Sequence, residues 1–182
     1  MDYQVSQSLQ DFTRRYLRHW QSLTGHGPAS QALYGVPSPC VVSEDDGRVV
    51  WQPRQPEEAL TLAGVERAMD MRLRPAAWDF YCTQLAGDMA ASFQGQPLEL
   101  LQVWSAADGV RIQENLIGHL LMQKRLKLPP SVFIATTDSE LSLVSLSNLT
   151  GEVLLEEVGR KKNTVLAPTL QDFLSRLDPC VT

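Results

Sequence analysis

The chain has 182 residues, of which 43% are hydrophobic and 20% charged, proportions that suit one domain spanning residues 1–182 with a buried core and exclude a disordered or fibrous chain. No run approaches the roughly 18 apolar residues of a bilayer-spanning helix, and Arg14, Arg15 and Arg18 near the start lack the apolar stretch and cleavage site of a secretion signal, so the expected compartment is the cytoplasm. The net charge of −5 is uneven: residues 40–123 hold twelve acidic and six basic side chains, and residues 124–182 hold seven of each, which disfavours nucleic acid and suits a cationic partner.

Val5, Leu9, Phe12, Tyr16, Trp20 and Leu23 recur at steps of three and four, so an amphipathic helix opens the chain and Gly25, Gly27 and Pro28 end it. LYGVPSPC (33–40) reads as a rigid connector, because Pro37 and Pro39 each fix a φ angle. A hairpin follows, with strands at 40–43 and 48–52 around a turn that ends in Asp46-Gly47. Pro53 and Pro56 break the sheet, and the spacing of Leu62, Val65, Met69 and Leu73 predicts a helix within 57–72. Residues 77–103 read as a β meander: WDFYCTQL, MAASF and LELLQVW are short aromatic and aliphatic runs separated by Gly87-Asp88 and by Gly95 to Pro97.

The longest helical signal lies in WSAADGVRIQENLIGHLLMQKRLKLPPSVFIAT (104–136). Val110, Gln113, Ile117, Leu121 and Leu128 form one stripe, which Ile112, Leu116 and Leu120 widen. Asp108 favours its start, Lys124, Arg125 and Lys127 its last turns, and Pro129 and Pro130 stop it. Strands are then predicted at 132–135, 141–146 and 152–157, a basic loop at 160–166, and a short helix over Leu170 to Leu177. The resulting class is α+β, a mixed or mainly antiparallel sheet with helices packed mainly on one face.

The block QENLIGHLLMQKRLKLPPSVFIA, together with LYGVPSPC, VERAMD (65–70), AGDM (86–89) and LLQVWS (100–105), resembles the Syd family of proteobacteria. DFTRRY near the start and NLTGEV later extend the likeness over nearly the whole chain. The resemblance implies a curved sheet of the SUKH superfamily. It also implies a non-enzymatic protein that binds the basic cytosolic loops of SecY, the translocase channel subunit, as a check on the translocase or on unassembled SecY. The implied protein is a monomer that meets the inner membrane only indirectly, through SecY.

Within the acidic middle of the chain, Asp88, Glu114, Asp108, Glu66 and Asp70 are the candidate partner-binding carboxylates, with Trp104 as a candidate apolar anchor in the same concave surface. Each has an ordinary alternative: a solvated surface charge, a helix cap for Asp108, a core aromatic for Trp104. Cys40 and Cys82, with His119 and Asp88, supply the residue types of a small hydrolase or transferase, an alternative weakened by a Pro-locked or stranded nucleophile. A toxin-neutralising immunity protein is a further alternative, since other SUKH members look like that. The three cysteines, Cys40, Cys82 and Cys180, lie too far apart for a metal pair or CxxC, and no cofactor is expected. The two basic clusters, 124–127 and 160–162, lack the interleaved aromatics that stack bases, and each alone is too small to anchor the chain on a membrane.

Overall fold

The computed structural model describes residues 3–182. Its larger sheet has seven strands in the order β10-β4-β5-β6-β7-β8-β9 and is curled into a half-barrel. The strands are β4 (Met89–Phe93), β5 (Gln96–Leu100), β6 (Ser131–Thr137), β7 (Ser142–Ser147), β8 (Val153–Glu157), β9 (Asn163–Ala167) and β10 (Asp178–Pro179). Every neighbouring pair is antiparallel. A smaller sheet joins β1 (Ala29–Ser30), β3 (Arg48–Trp51) and β2 (Val41–Asp45). The β2–β3 turn is Asp46-Gly47, both with positive φ, as a tight hairpin demands.

Helix α1 (Tyr3–Thr24) buries Val5, Leu9, Phe12, Tyr16 and Trp20, the stripe read from the sequence, while Leu23 at its end is exposed. It packs on α3 (Pro75–Cys82) and α5 (Leu170–Ser175), whose Phe173 meets Phe93 of β4. Helix α2 (Ala63–Met69) lies against α4 (Ala106–Arg125), and Gln113 Oε1 accepts a hydrogen bond from Gly64 N.

Four expectations are corrected. WDFYCTQL is not a strand. Pro75 takes the first position of α3 behind an extended Arg74, and Ala77, Phe80 and Tyr81 are buried at helical spacing, so the aromatic run follows a period of 3.6 and not two. Residues 163–166 are not loop, because Asn163, Thr164 and Val165 pair with β8 and only 158–162 turn. On α4 the buried seam is Ile112, Leu116, Leu120 and Gln123, while Val110 and Leu121 are exposed, so the row that widened the stripe is the one that packs. The expected start of α4 at Asp108 moves to Ser105, whose Oγ caps Asp108 N.

Register fixes which strand residues share a face. Ala90 stands opposite Glu99, and Glu99 opposite Thr136, so the three form a row across β4, β5 and β6. The alternate residues Met89, Ala91, Leu98 and Leu100 are buried on the other side. A bulge in β6 between Phe133 and Ala135 lets Ile134 and Ala135 both turn to the buried face.

Candidate functional site

A groove of about 770 Å³ opens above the Ala90–Glu99–Thr136 row. Its walls come from the β1 region, Arg48 of β3, and Cys180 beyond β10, with Trp51 of β3 at its floor. Its floor is rigid for a physical reason: Tyr16 stacks on Trp51 with ring centroids 6.2 Å apart, and Trp51 meets Trp104 edge-on at 6.3 Å, all three rings being buried. Gly87 passes close over this floor. A Cβ there would sit 2.7 Å from Trp51 Nε1 and 3.1 Å from Leu33 Cδ1, so only glycine lets the chain cross the indole and deliver Asp88 to the groove.

Three carboxylates line the groove, those of Asp88, Glu99 and Asp138, against Arg48 as the only cation among its described lining residues. Asp88 Oδ1 accepts a hydrogen bond of 2.8 Å from Gln102 N. Asp88 is exposed at the mouth of the groove, although protein atoms crowd around its carboxyl. Burial is therefore the main cause that pushes its carboxyl up from 3.8 to about 7, with the Glu99 and Asp108 charges raising it further and the Gln102 N–H and Arg111 opposing. A carboxyl so placed takes up its charge most readily when a cation arrives.

Of the residues singled out in the sequence, Asp88 alone lines the groove. Asp108 lies near enough to act on Asp88, but its own oxygens are occupied: Oδ2 accepts from Trp104 N at 2.8 Å, and Oδ1 pairs with Arg111 at 2.6 Å. Together with the Ser105 cap this resembles a capping box, and it holds the first turn of α4. Trp104 is buried, its indole donating to Val36 O while its own carbonyl accepts from Ser38 Oγ. It clamps the 33–40 connector to α4 and leaves no surface for an external anchor, which corrects that expectation. Glu66 Oε2 accepts from Leu73 N and Trp78 Nε1, tying α2 to α3. Asp70 ends α2 with a left-handed backbone (φ 50°) and is exposed, and Glu114 is exposed on α4; neither lines the groove.

Glu99, Asp138 and Arg48 escaped the sequence reading. Glu99 carried a usable signal: in LELL, a Glu between two leucines on a strand must face away from the core that Leu98 and Leu100 enter. Asp138 belongs to a polar turn, where nothing local marks it.

The thiol alternative meets an electrostatic obstacle. Burial raises the Cys40 pKa and pushes that of Cys82 up to about 12, the opposite of what a nucleophilic thiolate needs. His119 is a half-buried helix residue within 3.3 Å of Ser131 Oγ, its ring against Phe133. Among the described residues no helix is long and apolar enough to cross a membrane.

A sequence model of the family described as Syd protein (SUKH-2) matches residues 6–179. A Protein Syd of Erwinia tasmaniensis is 53% identical over 178 residues, covering 98% of this chain and 96% of the relative. A Protein Syd of Pectobacterium carotovorum is 54% identical over 179 residues, 98% of each chain, and one of Yersinia pestis is 51% identical over the same coverage. With the match running through both sheets and all the helices that frame the groove, the chain belongs to the Syd family.

Proposed function

We propose that the chain is a non-enzymatic binding protein that receives a Lys- and Arg-bearing cytosolic segment of SecY in the groove of Asp88, Glu99 and Asp138, and so checks the translocase or unassembled SecY. One observation carries the reading: three carboxylate side chains and one arginine are among the described residues lining a groove of about 770 Å³, room for several side chains of an extended segment. Family membership supports the choice of partner. Cytoplasmic loops of membrane proteins are rich in Lys and Arg, so their charge complements this groove. The proposal places the chain at the cytoplasmic face of the inner membrane, as a monomer without a cofactor.

Attraction between exposed charges is screened over roughly 10 Å at 0.1 M salt and roughly 3 Å at 1 M. Co-sedimentation of the purified chain with membrane vesicles enriched in SecY is therefore expected to fall steeply between 50 mM and 500 mM salt, relative to vesicles depleted of SecY. Binding indifferent to both salt and SecY content would refute the proposal.

A further inference from the structure

Two basic segments that stand 33 residues apart in sequence, from Lys127 to Arg160, form one surface. The end of α4 supplies Lys124, Arg125 and Lys127, and the β8–β9 turn supplies Arg160, Lys161 and Lys162, all exposed. The two segments meet where Leu126 Cδ1 lies 3.8 Å from where a Cβ on Gly159 would sit, and Met122 and Leu128 from the one side and Arg160 and Lys161 from the other border one small recess. The only carboxylates beside them among the described residues of that recess are Glu157 and Glu156. Glu157 reaches Arg160 and Lys162 at 3.7 Å each, loosely, in solvent. Glu156 turns inward and accepts from Ser131 Oγ.

Apolar side chains sit among these cations. Leu126 is 49% exposed and Val158 41%, and Val158 N donates to the carbonyl of Leu141, itself 75% exposed. We infer that this surface binds an anionic lipid bilayer directly, its lysines and arginines meeting phosphate headgroups while Leu126, Val158 and Leu141 enter the interface. Six cations gathered this way are twice either cluster alone, and the inference goes beyond the expectation that the chain meets a membrane only through a partner. A nucleic acid would leave the three aliphatic side chains unused and finds no aromatic platform among them. The acidic groove, repelled by the same bilayer, then sets the orientation. The two surfaces adjoin at the β6–β7 turn, with Asp138 on the groove side and Leu141 on the basic side.

The test needs no translocase, so it is independent of the groove's role. Full-length protein is sedimented with protein-free vesicles of phosphatidylglycerol and phosphatidylethanolamine, and with pure phosphatidylcholine vesicles, at 50 mM and 500 mM salt. Binding to the anionic vesicles at low salt is expected, at least tenfold above phosphatidylcholine and lost at high salt. Lys124→Glu combined with Lys161→Glu, one change from each cluster, is expected to lower it at least tenfold, and Leu126→Asp severalfold, with circular dichroism of both variants unchanged. Glu99→Lys in the groove should leave it undiminished. Equal affinity for phosphatidylcholine, undiminished binding by the folded variants, or tight capture of an RNA or DNA oligonucleotide without vesicle binding would each overturn the inference.

Discussion

The acidic groove stands on buried aromatic rings and paired strands, whereas the basic surface stands on one helix end and a turn. Both present exposed charge, but the groove's carboxylates stand beside strands that the hydrophobic core holds, and the basic side chains stand on a helix end and a turn. At Asp88 the protein atoms crowding the carboxyl raise its pKa, and the Glu99 and Asp108 charges add to the shift. Exposed lysines add up only by number.

The widest separation between the regions should be in stability. Trp51→Ala removes a buried ring that touches Tyr16, Trp104 and the Gly87 backbone, and is expected to cost about 3–5 kcal/mol by chemical denaturation. Lys161→Glu, on the β8–β9 turn, is expected to stay within about 0.5 kcal/mol of the parent. If both substitutions cost the same, the groove is not core-supported in the sense argued from its floor.

A sharper comparison stays within the acidic residues. Glu99→Lys turns an attraction into a repulsion at the centre of the groove face. At about 1 kcal/mol for a pair 4 Å apart in water, the reversal is worth about 2 kcal/mol, or roughly thirtyfold in affinity for a basic SecY loop peptide. Glu114→Lys makes the same change of charge on the exposed side of α4, outside the groove. Calorimetric titration should show less than about a threefold loss there. Equal losses would mean that net charge, and not the groove, attracts the peptide.

How much of this was legible in the sequence follows from which interactions are local. Helix α1, the β2–β3 hairpin and the stop at Pro129-Pro130 were readable because periodicity, a positive-φ turn and a missing donor act within a few residues. The 75–82 helix was missed because its aromatic residues favour strands when read singly, and the outcome depends on which of them the tertiary fold buries. The site was readable only in part for a similar reason. Asp88, marked by its turn, was found. Joining it to Glu99 and Asp138 required the β4–β5–β6 register, and joining 124–127 to 160–162 required the packing of a turn on a helix end. Glu66 and Asp108 resembled Asp88 in sequence but serve the fold, a difference set by the N–H groups that surround each one.

The smallest expected effect is also the most specific to the groove. Asp88 is raised from 3.8 to about 7, so between about pH 4 and 7 the folded chain holds a proton that the unfolded chain has released. Protons bound to the native state exceed those bound to the unfolded state, and this group's contribution to stability therefore declines as pH rises through that window, the reverse of an ion-paired aspartate. Binding of a cationic segment carries the opposite sign, because it favours the ionised carboxylate and draws the Asp88 pKa down. Affinity for a basic SecY loop peptide should accordingly rise about threefold from pH 6 to pH 8. Asp88→Asn keeps an oxygen to accept from Gln102 N but cannot ionise, and should flatten both dependences. The charged groups around Asp88 are Glu99, Asp108 and Arg111, with Arg48 and Asp138 across the groove. A pH dependence that survives in Asp88→Asn would show that Asp88 is not its source. Carboxyl chemical shifts followed across the same range would place the titration at Asp88 or remove it.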